Sequence, residues 1–509
     1  MNSLPLIRGQ ATEDSMRVEL YIGEDVLQAL YSASNSSTLQ KSMELLIETS
    51  RTEIVRAELA SKQMVPLVIR LIQSLPYPAA SQYLALSLKL LRNLCAGEIA
   101  NMNSFIQHNG VEVILNVLRS ARLCSEHTEP DYGIIRFGLQ TLANVSWGGQ
   151  GQLPIWRHFF PQEFHALAEL QRREVCDPLC MIIYTCCDGN PELLKELCSE
   201  SGLPIAGEIV RTAAAAVGFG EDWLKLLLSK ICLEEPHFPV LFSKLSHVGA
   251  GTKDEDAEVE NGIFSTEQAF LLKIVSEILN ERLEDIAVRN DFTLCVLAIF
   301  KRSFEVVIGC GMRGKSGLPT GFTAIDVLGY SLTILRDICA VEGQRSSEEE
   351  PVDADDMLLS SGLVELLLCV LRSLEPPTII KKAIKQSENQ EGTNSSCSLK
   401  PCPYRGFRRD IVAVIGNCTY RRKRVQDEIR QKNGILLLLQ QCVADEENPF
   451  LREWGIWSVR NLLEGNAENQ QNVAELELQG SVEVPELAGL GLRVEVDPET
   501  RRAKLVNIS

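Results

Sequence analysis

Apolar residues recur three or four positions apart along much of the chain, which is the spacing of one face of an α-helix. In the segment VEVILNVL this face consists of Val111, Ile114, Leu115 and Leu118. Glu112 points elsewhere. Such a stripe predicts a helix that buries one side against a neighbouring element.

Two distant segments share one pattern, an apolar helix, an Asn, a short break, a second helix, a Gly and a further apolar helix. They read LKLLRNLCAGEIANMNSFIQHNGVEVILNVL and VAVIGNCTYRRKRVQDEIRQKNGILLLLQQC. In both, the Gly follows the Asn by 17 positions, from Asn93 to Gly110 and from Asn417 to Gly434. The chain is therefore built from internal repeats.

Further copies keep the pattern less completely and lie at Thr185 to Gly202, Asp337 to Gly362, Asn144 and Asn461. The step from Asn417 to Asn461 is 44 residues, within the roughly 40 to 47 of armadillo and HEAT units. Each helix pair in such a unit exposes an apolar face that the next unit covers. We expect the glycines to supply left-handed turns at the breaks.

These features predict an all-α fold, an armadillo/HEAT-like helical-repeat solenoid. With 509 residues, the chain exceeds the roughly 250 to 300 residues of a single compact core, so two lobes are an option. The predicted organisation is N-terminal repeats over 1–380 with loop inserts near 249–262 and 345–357, a flexible linker at 381–403 that forms the domain boundary, a C-terminal armadillo domain at 404–480, and an extended tail at 481–509.

Composition narrows the function classes. The formal net charge of -18 disfavours nucleic acid and anionic membranes as partners, because both present phosphate groups. No apolar run approaches the roughly 20 residues of a membrane span, and the N-terminal segment lacks the apolar core of a signal peptide. We expect a cytoplasmic protein whose 16 cysteines are reduced and mostly buried.

The C-terminal repeats resemble a known family. The run DEENPFLREWGIWSVRNL, within residues 405–480, is similar to the C-terminal domain of the ataxin-10 family. Its distinguishing residues are Asn448, Pro449, Phe450, Glu453, Trp454, Arg460 and Asn461. The resemblance implies a non-catalytic armadillo-like scaffold that acts through partner proteins in cytokinesis, cell survival or signalling. It brings no active site and no cofactor, and whether the chain self-associates stays open.

One motif carries an alternative, a nucleotide-binding enzyme. Gly309 to Ser316, GCGMRGKS, fits the letters of a phosphate-binding loop, with Lys315 and Ser316 at the phosphate and magnesium positions. That mechanism needs a preceding strand and a following helix. The preceding residues read as a helix, and Pro319 lies where the next helix should form. We expect a flexible glycine-rich loop.

A second alternative is a karyopherin-like adaptor for peptide cargo. Trp457 and Asn461 are four residues apart and share a helix face, like the Trp and Asn pair of the importin alpha family. There, Asn bonds the backbone of an extended peptide and the indole flanks an aliphatic chain. Only one repeat carries both residues, so an asparagine buried at the inter-helix turn is the competing interpretation.

A basic cluster is the third candidate, and it consists of Arg405, Arg408, Arg409, Arg421, Arg422, Lys423 and Arg424. It could attract an acidic partner, dock on the chain's own acidic inserts, form a nuclear import signal, or be a solvated turn. The resulting candidate partner-contact residues are Trp457, Asn461, Asn417, Arg421, Arg422 and Arg424. No His and Cys pairing has zinc spacing, so no metal site is predicted.

Overall fold

The computed structural model describes residues 36–123, 131–148, 150–216, 221–246, 263–282, 285–340, 354–381, 399–476, 492–496 and 503–507. The insert expected at 249–262 lies outside these ranges, as do most of the acidic insert at 345–357, most of the linker at 381–403 and most of the tail at 481–509. The predictions for those segments remain predictions.

The chain divides into two compact units, with the division between Leu227 and Leu228. The helices that begin before it are α1 Ser36–Thr49, α2 Glu53–Ser61, α3 Met64–Ser74, α4 Ser81–Leu94, α5 Ile99–Gln107, α6 Gly110–Arg122, α7 Tyr132–Trp147, α8 Gln152–Phe159, α9 Gln162–Ala168, α10 Arg173–Cys187, α11 Pro191–Leu197, α12 Leu203–Ala215 and α13 Glu221–Ser229. We refer to the first unit, up to Leu227, as unit 1.

The second unit, unit 2, begins at Leu228. A short π-helix, Lys230–Glu234, follows α13. The later elements are α14 Phe238–Lys244, α15 Thr266–Arg282, α16 Asn290–Gly309, α17 Thr323–Ala340, α18 Ala354–Ser360, α19 Leu363–Ser373, α20 Phe407–Thr419, α21 Lys423–Gln431, α22 Ile435–Leu439, α23 Leu451–Leu463, α24 Ala467–Ala474, β1 Leu492–Val496 and β2 Ala503–Asn507.

Successive packed helices form the spine of each unit. In unit 1, α4 packs against α1 and α7, and α7 packs against α10. In unit 2, α17 packs against α15 and α20, and α20 packs against α23. Leucine, isoleucine and valine fill the interfaces, as the apolar stripes predict. The predicted armadillo-like, all-helical repeat fold is confirmed, with one antiparallel hairpin of β1 and β2 after the last helix.

The repeated asparagines join successive long helices. Asn144 on α7 donates its side-chain amide to the carbonyl oxygen of Arg92 on α4, at 2.9 Å. Asn461 on α23 donates in the same way to Gly416 on α20, at 3.0 Å. Equivalent bonds run from Asn93 to Ile47 and from Asn417 to Arg336. Three of the acceptors, Arg92, Arg336 and Gly416, come one residue before a repeat position. Those positions are Asn93, Asp337 and Asn417. The Asn signature is therefore an inter-repeat hydrogen bond.

The copies without Asn use other polar contacts at this position. The hydroxyl of Thr185 on α10 lies 2.7 Å from that of Ser146 on α7, and both side chains are buried. Asp337 on α17 accepts a hydrogen bond from Arg336 at 2.8 Å. Burial raises the pKa of the Asp337 carboxyl, and the Arg336 charge opposes that shift.

The left-handed turn expected at the repeat glycines is absent at three sites, Gly110, Gly202 and Gly434, and Gly202 has a φ of -92°. Asn109 and Asn433, which precede Gly110 and Gly434, adopt the left-handed conformation, with φ of 56° and 54°. A Cβ on Gly110 would lie 2.5 Å from the Phe105 ring, and one on Gly434 would lie 2.7 Å from Ile429. These glycines are therefore required by close packing. Gly362, with φ of 79°, does supply a left-handed turn.

The segment 381–403 connects two helices of unit 2. Its described end pairs with the end of α19, because the amide of Lys400 donates to Ser373 O at 2.9 Å and that of Glu375 donates to Lys400 O at 2.7 Å. Helices α19 and α20, on either side of the segment, pack against each other. The division between the two compact units falls at Leu227 instead of within this segment.

Candidate functional site

The glycine-rich loop does not have phosphate-binding geometry. It follows α16, which ends at Gly309, and the next helix does not begin until Thr323. The amide of Gly314 donates to Pro403 O at 2.7 Å, and the amide of Arg405 donates to Ser316 O at 3.2 Å. Lys315 is exposed. The loop has neither the strand before it nor the helix after it that would aim amides at a phosphate.

Trp457 and Asn461 have different environments, although both lie on α23. The Trp457 side chain is 46% exposed, and the Arg460 guanidinium lies 5.0 Å from the centre of its ring. Asn461 is 2% exposed, and its amide donates to Gly416 O at 3.0 Å. Trp457 is accessible to a partner, whereas Asn461 serves the packing of repeats.

Most of the exposed part of the basic cluster lies between α20 and the start of α21, and Arg405 is exposed before α20. Arg421 and Arg424 are exposed, and the Arg421 guanidinium lies 5.0 Å from the centre of the Tyr420 ring. Arg422 donates to Asn417 O at 3.0 Å. Asn417 itself is half-buried and donates to Arg336 O. These four candidates share one turn, which Trp457 does not belong to.

Arg408 is not part of a solvated basic surface. It is 1% exposed, and it donates to Gln441 Oε1 at 3.1 Å and to the carbonyl oxygen of Glu375. Its backbone amide donates to Asn448 Oδ1 at 3.0 Å. Asn448 belongs to the DEENPF run, so part of that run is explained by the burial of this guanidinium.

A groove in unit 1 is lined by polar side chains that use only some of their hydrogen-bonding groups. The repeat pattern did not indicate it. The groove is an open depression of about 310 Å³ that crosses the spine helices α4, α7 and α10 and reaches α13. Its lining residues are Arg92, Gln140, Ala143, Asn144, Asp177, Pro178, Met181 and Trp223. We call this surface the unit 1 groove.

Three cationic side chains gather around the Phe137 ring beside the groove, and one of them, Arg92, belongs to the groove lining. Lys89 Nζ lies 4.9 Å from the centre of the Phe137 ring, and the guanidinium carbons of Arg92 and Arg136 lie 5.6 and 4.8 Å from it. Burial lowers the pKa of Arg92, and the charges of Arg136 and Arg51 lower it further. The site is thus strongly electropositive. We call these three cations the cation cluster.

Aromatic side chains lie around Trp223, another residue of the groove lining. The Trp147 and Trp223 rings meet edge to face with centroids 6.1 Å apart, and Tyr184 lies 5.9 Å from Trp223. Trp147 is 62% exposed. Asp177 lies in the same groove, and burial raises the pKa of its carboxyl, with Arg173 opposing and Asp222 reinforcing the shift.

One sequence signal could have found this groove. Phe137, Gln140, Asn144 and Trp147 are spaced three, four and three residues apart, so they form one stripe along α7. The stripe mixes aromatic and polar residues, whereas the periodicity argument looked for apolar ones. Its partners on other helices are tens of residues away in sequence.

Metal and thiol chemistry find little support in the described chain. Within those residues, no group of three or more His, Cys, Asp and Glu side chains could hold a metal ion. Burial raises the pKa of the Cys176 thiol to about 11, with smaller contributions from its neighbours, and burial raises that of Cys186 to about 12. Such thiols are protonated at neutral pH and are poor nucleophiles. No described helix has the length and apolar character of a membrane span.

Comparison with known proteins explains the C-terminal motif. Residues 407–506 match the family model described as the spinocerebellar ataxia type 10 protein domain. Ataxin-10 of Bos taurus is 26% identical over 453 residues, which are 82% of this chain and 82% of that protein. The chain is therefore similar to ataxin-10 over most of its length, and its C-terminal region matches the domain model of that family. The human ataxin-10 is 25% identical over 448 residues, again 82% of each protein.

Some matches are shorter, and others are to solved structures of low sequence identity. The ataxin-10 homolog of Dictyostelium discoideum is 39% identical over 92 residues, 18% of this chain and 15% of that protein. Among solved structures, an engineered protein has a TM-score of 0.36 with 15% identity and covers 87% of this chain and 100% of its own. A designed armadillo repeat protein in complex with the peptide (KR)4 has a TM-score of 0.29 with 13% identity, over 49% of this chain and 97% of its own.

Proposed function

We propose that this chain is a non-catalytic scaffold that binds other proteins, and that the unit 1 groove is its main docking site. The observation that supports this most is the groove's combination of unpaired cations, open amides and exposed aromatic rings. Tryptophan and arginine are the residues that dominate the binding energy of protein interfaces. A surface of this composition is suited to a protein ligand.

An enzymatic function has less support. The glycine-rich loop lacks the geometry for phosphate binding, and burial raises the pKa of the Cys176 and Cys186 thiols. The described groove lining contains one carboxyl, that of Asp177, and the charge of Asp222 reinforces the rise in its pKa. Binding is therefore the function that its chemistry favours.

A karyopherin-like adaptor for basic cargo is also disfavoured. The amide of Asn461, which would contact the peptide backbone, already donates to Gly416 O. In the unit 1 groove, Lys89, Arg92 and Arg136 would repel a basic peptide. Trp457, with Arg421, Arg422 and Arg424 as further candidates, is proposed as a second protein contact in unit 2.

The biological setting we propose is the regulation of cytokinesis, or of cell survival or signalling, in the cytoplasm. The support is similarity to ataxin-10 together with the acidic net charge of -18. That charge disfavours general binding to nucleic acid or anionic lipid. The partners are other proteins, and a second copy of the chain is one candidate.

The test is an affinity purification from dividing cells with mass spectrometry of the captured proteins. The full chain is compared with three variants. The groove variant combines Arg92→Gln and Trp223→Ala, which both belong to the groove lining. The second variant is Trp457→Ala in unit 2, and the control is Ile54→Ala, since Ile54 is exposed and lies outside the lining. We expect the groove variant to lose a defined partner set that the control keeps.

Loss of a different set with Trp457→Ala would assign those partners to unit 2. The proposed role of the groove is contradicted if the groove variant and the Ile54→Ala control capture the same proteins. Circular dichroism of each purified variant verifies that the helical fold is retained. Depletion of the chain followed by re-expression of the groove variant then tests the role in cytokinesis, with binucleate cells as the expected defect.

A further inference from the structure

The cation cluster of the unit 1 groove has no anionic partner in the described chain. Lys89, Arg92 and Arg136 form no ion pair with a carboxylate there. Arg92 instead donates to two amide oxygens, to Gln140 Oε1 at 3.0 Å and to Asn93 Oδ1 at 2.9 Å. The Nε of Arg136 is buried and has no acceptor. A carboxylate placed beside these three cations would relieve their mutual repulsion.

Two amide groups beside the cluster are also open. Gln140 uses its oxygen to accept from Arg92, which leaves its NH2 group without an acceptor among the described residues. Asn144 uses its NH2 group to donate to Arg92 O, which leaves its oxygen without a donor there. The two side chains lie four residues apart on one face of α7. One donor and one acceptor side by side match the N–H and C=O groups of an extended peptide backbone.

The part of the groove around Trp223 selects against acidic side chains. Asp177 lies in the lining and Asp222 is close enough to raise its pKa. Trp147, Trp223 and Tyr184 offer apolar ring surface in the same part. An acidic side chain there would be repelled by Asp177, whereas a bulky apolar one would gain ring contacts. The groove is therefore polarised from cationic to aromatic.

We propose that the unit 1 groove binds an extended acidic peptide segment of a partner protein. Its carboxylate lies in the cation cluster, its backbone bonds Gln140 and Asn144, and a bulky apolar side chain packs on Trp147 and Trp223. From Phe137 to Trp147, α7 rises about 15 Å, which about four or five extended residues span. The acidic and apolar residues of the ligand are separated by that number. This inference rests on the proposed docking function.

The experiment uses the purified full chain and a degenerate library of fluorescent 12-residue peptides. Each library fixes one Glu and one Leu at a separation of one to eight residues, and a matched set replaces Glu with Lys. Binding is measured by fluorescence polarisation at low and physiological salt. We expect the Glu libraries with separations of four and five to bind at least tenfold more tightly than the Lys libraries. Their binding should weaken as salt increases.

Variants assign the binding to the groove. Arg136→Gln should weaken the Glu libraries at least tenfold and leave the Lys libraries unchanged. Trp147→Ala should remove the preference for Leu over Ala at the apolar position. Arg157→Gln, which changes an exposed arginine on α8 that is not part of the lining, should leave every affinity unchanged.

The proposal is overturned if no library binds, if Lys libraries bind as well as Glu libraries, or if Arg136→Gln has no more effect than Arg157→Gln. Failure of the acidic-peptide proposal can be distinguished from failure of the proposed docking function. If the groove variant loses cellular partners while acidic libraries fail to bind, the groove docks proteins of another chemistry. If acidic libraries bind but no cellular partner depends on the groove, the proposed docking function is contradicted.

Discussion

Replacing Arg408 with alanine is expected to lower the free energy of unfolding of unit 2 by about 3 to 5 kcal/mol. The guanidinium is fully buried and satisfies Gln441 Oε1 and Glu375 O. Its removal leaves these acceptors without a donor and opens a cavity of side-chain size. Burial lowers the pKa of Arg408, while Cys402 and Asp445 favour its charged form.

The matched control for this prediction is Arg405→Ala. Arg405 belongs to the same basic cluster in sequence but is exposed, and its side chain makes a long hydrogen bond of 3.4 Å to Glu446 O. We expect a change within about 0.5 kcal/mol. Urea denaturation with hydrogen exchange of α20 and α22 in the full chain measures both variants. Equal protection of these helices from hydrogen exchange in the Arg408→Ala and Arg405→Ala variants would show that Arg408 does not stabilise the C-terminal repeats.

Replacing Gly455 with alanine is expected to lower the free energy of unfolding by about 3 kcal/mol, through a clash between α23 and the turn that follows α22. A Cβ at this position would lie 2.5 Å from Gln441 O, 2.7 Å from Gln441 C and 3.0 Å from Cys442 N. These are backbone atoms, which cannot move aside as the end of a flexible side chain can. The Gly in the run REWGIW is therefore needed where α23 touches the turn at Gln441 and Cys442.

Gly309→Ala is the matched control, because a Cβ there would meet nothing within 4 Å and Gly309 ends α16 in the same unit. Alanine has the higher helix propensity, so this variant should be neutral or slightly more stable. Thermal unfolding followed by circular dichroism compares the two. If the Gly455→Ala and Gly309→Ala chains unfold at the same temperature, the packing that we describe between Gln441 and α23 is contradicted.

The repeat architecture could be predicted because its signals are local. The apolar stripe of each helix and the recurring Asn lie within one repeat, and the structure explains the Asn as a bond to the previous long helix. The role of Gly110 was not predictable, because the clash with Phe105 depends on how two helices cross. The repeat pattern therefore indicated that Gly110 is a special position, but the physical reason inferred for it was wrong.

Burial of charge and assembly of the groove were beyond a single-sequence argument. Arginine is rarely buried, so Arg408 was grouped with its exposed neighbours, and its partners Gln441 and Glu375 lie 33 residues away on either side. The groove combines Lys89 on α4, Arg136 on α7 and Trp223 on α13, which no repeat carries together. Asn461 was singled out for binding by its similarity to another family, but its environment is that of a packing residue.

The most direct measurement is site-specific photocrosslinking in dividing cells, with a photoreactive phenylalanine analogue in place of Trp147 in the full chain. The same analogue in place of Ile54, which is 83% exposed, is the control. We predict that position 147 forms a discrete covalent adduct with another protein and that Ile54 does not. Adducts that are absent at position 147, or that are the same from both positions, would contradict docking in the unit 1 groove.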